Sequence, residues 1–119
     1  KKVKLESYLP VIADESCQRE TDVSICTELF HGINIKVMKC GGITPALRMI
    51  RAAREAQLLL MAGCMTESTI GISGLVQIAQ HLDADGSLLL SKDIADGVRF
   101  DMGKIVYPNA FGSGAKLYT

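Results

Sequence analysis

Asp14 follows the apolar run LPVIA, Lys39 follows INIKVM, and Glu67 comes shortly after LLLMAGCM. The steps between these charged residues, 25 and 28 positions, each hold one strand, one helix and their connections. A fourth case is HLDAD, which sets Asp83 and Asp85 just before the apolar SLLL. Strands that alternate with helices lie parallel, so their C-terminal ends share one rim of the sheet, where ligands bind. Carboxylates and a lysine drawn from distant positions onto one rim have the composition of a metal-assisted proton-transfer site.

The segments between these residues read as units of that alternation. Leu9 to Ala13 is a buried parallel strand. A helix over 20–30 carries Val23, Cys26 and Phe30 on one face, with Thr21 or Asp22 as N-cap, and Gly32 ends it. Ile33 to Met38 is the next strand, closed by Cys40-Gly41-Gly42. Thr44 caps a helix that starts at Pro45 and runs to about Gln57, with Leu47, Ile50 and Ala53 inward and Arg48, Arg51 and Arg54 outward. Leu58 to Ala62 is a third strand, Ser68 to Gln80 a helix and Leu82 to Asp85 a short fourth strand. Beyond Ser87 the alternation stops. VRF and KIVY around Asp101-Met102-Gly103 predict a hairpin, and the Gly-rich and Ser-rich tail NAFGSGAKLYT predicts a surface loop.

Four β/α units permit a doubly wound sheet or half of a (β/α)8 barrel. The first strand of a doubly wound nucleotide-binding fold is followed by a GxGxxG turn, and none is present. A barrel places chemical groups on successive strand ends, as here, and a whole barrel takes about 250 residues. The chain has 119, so the reading is an α/β half barrel. Its 13 basic and 13 acidic side chains give zero net charge, which argues against a nucleic-acid partner. No apolar run reaches the roughly 18 residues of a membrane span, and KKVKLESYLP does not read as a signal peptide, so the expectation is a cytoplasmic protein. The four cysteines lack CxxC spacing and read as reduced thiols; a zinc site from Cys17, Cys40 and Cys64 wants a fourth ligand at suitable spacing.

ADES at 13–16, NIKVMKCGGI at 34–43, GCMTESTIGIS at 63–73 and DADGSLLL at 83–90 together resemble the enolase superfamily, muconate-lactonizing subgroup. Within it they are most similar to the dipeptide epimerases, and the similarity covers nearly the whole chain in order. The resemblance implies a magnesium-binding α/β barrel that abstracts the α-proton of a carboxylate substrate. Under it, residues 1–119 are barrel units five to eight plus an irregular tail. Asp14 resembles a metal-binding carboxylate and Lys39 the acid/base lysine of the sixth barrel strand. Glu67 resembles a substrate-site residue that also suits the N-terminus of the next helix. Asp83 and Asp85 match an Asp-x-Asp pair that clamps the substrate's α-ammonium group. Glu15, on the opposite face if the strand continues, reads as a supporting residue. Lys36 reads as a snorkelling surface lysine, since it and Lys39 lie three apart and alternation lets only one enter the barrel.

Under the same resemblance the N-terminal capping domain, the first barrel half, two metal carboxylates and a second lysine are absent. The expected partners are therefore a dipeptide and the missing half or a complementary chain, with homo-oligomerisation expected as well. Two other readings remain open. One is a related reaction of the muconate cycloisomerase or o-succinylbenzoate synthase type, which the Asp-x-Asp pair disfavours because those substrates carry no ammonium group. The other is a non-catalytic half barrel that acts only by association through open strand edges. The connection from Ile78 to Asp83 is shorter than expected for the family.

Overall fold

A computed structural model describes residues 2–78 and 81–119. Four strands, β1 (Ile12–Ala13), β2 (Gly32–Lys36), β3 (Leu59–Gly63) and β4 (Leu82–Asp83), pair in parallel in the order of the sequence. Sequential order with every pair parallel is the arrangement of consecutive β/α units in a barrel, whereas a doubly wound sheet reverses its strand order at a switch point. The expected α/β half barrel is the fold observed. A helix α1 (Lys2–Glu6) precedes β1, and α2 (Val23–Leu29), α4 (Ile43–Glu55) and α5 (Thr69–Leu75) run between the strands. A single helical turn, α3 (Val37–Cys40), follows β2 directly.

The core follows from alternation along β2. Ile33 and Ile35 point into a layer closed by Val23, Cys26, Ala46, Met49, Ile50 and Ala53, and each isoleucine buried there contributes about 2 kcal/mol. Asn34 and Lys36 therefore point to the other face. The inward stripe of α4 is Ala46, Met49, Ile50 and Ala53, and Leu47, expected inward, is half-exposed because it lies a third of a turn off that stripe. At Gly32 a Cβ would come within 2.5 Å of the Leu59 carbonyl oxygen and 2.7 Å of Ile12 Cδ1, so only glycine lets β1, β2 and β3 draw together.

Several element ends differ from expectation for local reasons. Gly42 is the N-cap of α4, which puts Thr44 and Pro45 inside its first turn. The same helix stops at Glu55, where Gln57 adopts φ 56° and the Leu58 and Gln57 amides donate to the Ala53 and Arg54 carbonyls. That is the usual glycine closure of a helix made with a glutamine. Residues 79 and 80 lie outside the described residues, so the predicted helix to Gln80 and the short connection from Ile78 to Asp83 fall partly there. Within the described residues α5 ends at Leu75.

The C-terminal part builds a second core from Ala62, Ile72, Leu75, Val76, Ala84 and Val98. Strands β6 (Arg99–Asp101) and β7 (Lys104–Val106) form the predicted hairpin about Met102 and Gly103, both at positive φ, and its Phe100 and Ile105 pack on that core. The tail is more than a loop. Its β8 (Lys116–Leu117) pairs antiparallel with β5 (Ala95–Asp96). Asp93 clasps the start of α5 to the start of β5: one oxygen accepts from the amide and hydroxyl of Thr69 at 2.9 and 2.6 Å, and the other from the amides of Ile94 and Ala95.

These bonds, led by the Thr69 hydroxyl, hold the Asp93 carboxyl below the ordinary carboxylate range. A depressed folded pKa means that the clasp contributes fully above the unfolded pKa and is lost as pH falls through the folded one. Asp93→Ala should therefore lower the thermal midpoint at pH 7, and the gap to wild type should close as pH falls below about 4. Parallel melting curves from pH 7 to pH 3 check this, and a gap that is constant with pH would contradict it.

Candidate functional site

Register assembles the rim before any side chain is considered. Lys36 of β2 pairs with Gly63 of β3, which pairs with Asp83 of β4, and Ala13 pairs with Ile33, so Asp14 arrives beside Asn34. The Asn34 amide nitrogen donates to Asp14 Oδ1 at 3.1 Å. Lys36 Nζ lies 2.9 Å from Asp14 Oδ1 and 3.0 Å from Glu15 Oε1, and the other Glu15 oxygen pairs with Lys39.

This corrects the reading of Lys36 as a surface lysine. Its side chain is only 13% exposed and is paired with both carboxylates. Nor do Lys36 and Lys39 face apart. The strand expected to reach Met38 ends at Lys36 and passes at once into α3, where residues three apart share a side. Glu15 is corrected for the same reason. Strand β1 ends at Ala13, so Glu15 lies in the following turn and reaches the two lysines. Hydrogen bonds that it donates to Asp14 first and Glu15 second push the Lys36 ammonium above its ordinary value, and those that Glu15 accepts from Lys39 first and Lys36 second pull Glu15 below its own.

The turn bearing the two carboxylates is anchored from below. The Cys17 amide donates to the Asp14 carbonyl at 3.1 Å, and the Cys26 thiol contacts the Ser16 carbonyl at 3.8 Å. Cys17 and Cys26 are both buried in the main core. Burial, and after it the neighbouring Cys26, pushes the Cys17 thiol up to about 12.

At the other side of the rim the ends of β3 and β4 are fastened together. The Cys64 amide donates to the Asp83 carbonyl at 3.0 Å, and Cys64 Sγ accepts from the Gly86 amide at 3.2 Å and contacts Asp85 Oδ1 at 3.8 Å. Burial pushes this thiol up as well. A Cβ at Gly86 would stand 1.9 Å from the Met65 carbonyl oxygen, so the two loops touch through backbone. Strand pairing ends at Asp83, short of the predicted Asp85, which instead precedes a 3-10 turn over Gly86–Leu89. Both carboxylates are nevertheless exposed on either side of buried Ala84, and with Phe100 and Lys104 they line a cavity of about 540 Å³.

Glu67 turns back on its own helix. One oxygen accepts from the Met65 amide at 3.2 Å and the other occupies the space that a side chain at Gly71 would fill. The carboxylate thus lies beside the first turn of α5 while it ties down the loop at Met65.

Asp14 and Glu15 offer hard oxygen donors of the kind magnesium takes. Among the described residues no three His, Cys, Asp or Glu side chains are gathered to hold a metal, and the four cysteines are free thiols. The donor set thus fits one side of a magnesium site, and the zinc alternative has no cluster behind it. Lys36 and Asn34 are the rim residues that sequence reasoning missed. The signal lay in the alternation of INIK itself, which puts both on the face opposite Ile33 and Ile35.

Residues 1–118 match the model of the family described as enolase C-terminal domain-like. The chain belongs to that family. It is 53% identical over 120 residues to the L-Ala-D/L-amino acid epimerase of Maribacter sp., covering 98% of this chain and 36% of that protein. A mandelate racemase/muconate lactonizing protein from Herpetosiphon aurantiacus superposes with a TM-score of 0.90 at 30% identity, over 99% of this chain and 36% of that one. A dipeptide epimerase from Cytophaga hutchinsonii, in complex with Mg and the dipeptide D-Ala-L-Val, gives a TM-score of 0.85 at 28% identity, over 98% of this chain and 34% of that one. The chain thus spans about a third of the length of the proteins it matches. Among the described residues no helix is long and apolar enough to cross a membrane.

The anchoring of the Asp14 turn has a chemical signature. A thiol with a pKa near 12 is almost wholly protonated at pH 8 and does not alkylate. Cys17 should stay unlabelled by iodoacetamide at pH 8 in the folded protein and react fully in denaturant, as read by peptide mass spectrometry. Rapid labelling of Cys17 in the folded protein would overturn the anchored turn.

Proposed function

We propose that this chain is the C-terminal barrel part of a magnesium-dependent dipeptide epimerase. What carries the reading is the convergence of Asp14, Lys36 and Asp83 on one rim, in a chain similar over nearly its whole length to an L-Ala-D/L-amino acid epimerase. An upstream cap domain and first four barrel units complete the protein in this proposal, supplying the remaining metal carboxylates and a second lysine. The reading makes it a cytoplasmic enzyme.

The proton-transfer lysine in this reading is Lys36. It stands at a strand end, where backbone pairing fixes its position, and its side chain is largely withdrawn from solvent. Lys39, on the helical turn, holds Glu15 against it. With both carboxylates engaged, Lys36 is in the proton-donating form; it becomes a base when Asp14 is drawn to another cation. Magnesium, when bound, supplies positive charge that favours loss of the proton beside the substrate carboxylate. Asp83 and Asp85, exposed and acceptor-only, provide the seat for the substrate's ammonium group.

The test uses the chain completed by the upstream two thirds of the Maribacter relative. Lys36→Ala should slow exchange of the substrate α-proton with deuterium oxide, from one enantiomer, by about 10² to 10⁴. Lys39→Ala should slow it by roughly tenfold or less, as expected of a group that acts through its neighbour. The reverse order would return the acid/base role to Lys39.

The same protein separates the dipeptide reading from a cycloisomerase or synthase. N-acetylation of the dipeptide removes the cation and leaves two carboxylates facing a neutral amide. It should raise KM by about tenfold or more, since charge-assisted hydrogen bonds are worth about 1.5–3 kcal/mol. Equal kinetics on free and acetylated dipeptides would favour the other reactions.

A further inference from the structure

Asn34 is 6% exposed, and its carbonyl oxygen is buried without a hydrogen-bond partner among the described residues. Buried polar groups are ordinarily satisfied, and an unpartnered acceptor costs stability that an apolar side chain of similar volume would not. The site is shaped to keep this amide all the same. Gly63, the register partner of Lys36, lies diagonally across the β2–β3 pair from it, and a Cβ there would stand 2.6 Å from the amide nitrogen and 2.8 Å from the oxygen. Among the described residues, the side chain makes one bond, the 3.1 Å donation to Asp14 Oδ1. Asp14 is half-exposed, so water would replace that bond readily and folding has little need of it.

We infer that Asn34, seated against Gly63, is a positioning residue that fixes the Asp14 carboxylate in the orientation required for the divalent cation, at the expense of an unsatisfied acceptor in the fold. The inference rests on the proposed metal role of Asp14 and adds the device that orients it. Lys36 contacts both oxygens of Asp14 on a flexible stem and cannot by itself select a rotamer, whereas the Asn34 amide is immobilised by burial and binds one oxygen only.

The experiment measures Mn²⁺ affinity by electron paramagnetic resonance, and the thermal midpoint without metal, in the completed protein described above. Asn34→Leu should weaken Mn²⁺ binding by about 10-fold to 100-fold, the range for partners of metal ligands, while the metal-free midpoint stays level or rises. Gly63→Ala, which pushes the amide off Asp14 without altering Asn34, should weaken Mn²⁺ binding in the same range, and it decides the matter if Asn34→Leu does not fold. Unchanged Mn²⁺ affinity in a folded variant, with a lowered midpoint, would overturn the inference and make Asn34 a structural residue. If the parent binds Mn²⁺ but leaves dipeptides untouched, the proposed reaction fails while the affinities still decide the role of Asn34.

Discussion

The parallel register of β2 against its two neighbours is the constraint from which the rim follows. Five consecutive residues of β2 pair with β3, and two pair with β1. Because a one-residue slip would send Ile33 and Ile35 to the open face and Asn34 and Lys36 into the helix layer, register and burial enforce each other. The glycines at 32 and 63 permit the close approach, one beneath Ile12 and Leu59 and the other beneath the Asn34 amide. Sheet geometry therefore delivers the charged groups to within hydrogen-bonding distance, and hydrophobic burial holds it there.

The charges on the rim then organise one another. Asp14 and Glu15 are adjacent in sequence and would repel if left alone; Lys36 lies between them and Lys39 neutralises the outer one. Exposed ion pairs of this kind add little to stability. Their value lies in orientation, since each carboxylate oxygen has a defined partner and Lys36 is held at the end of its strand.

Much of this was legible in the sequence, and the exceptions have specific causes. Apolar runs with β/α spacing gave the strands and their order, and ADES and DAD pointed to the carboxylates of the rim. Strand length was harder to read, because VM in INIKVM is as apolar as a continuing strand and nothing marks the helical turn that begins at Val37. That single error set Lys36 and Lys39 on opposite faces, since alternation applied past a strand end inverts every face after it. The stop of α4 at Glu55 was hidden because a glutamine, and no glycine, takes the left-handed position. The β5–β8 pairing was out of reach for a related reason: two-residue strands carry no period.

The contact of Gly86 with the Met65 carbonyl bears on how such a rim can diverge. The β3 and β4 loops approach backbone to backbone at Met65 and Gly86, and the Cys64 thiol fills the space beside that contact. Insertions there would split the row that carries Asp83 and Asp85, so this part of the rim admits new selectivity through replaced side chains and resists it through altered loop length. A lineage changing its preferred substrate along this edge would be expected to keep its spacing constant while its side chains drift.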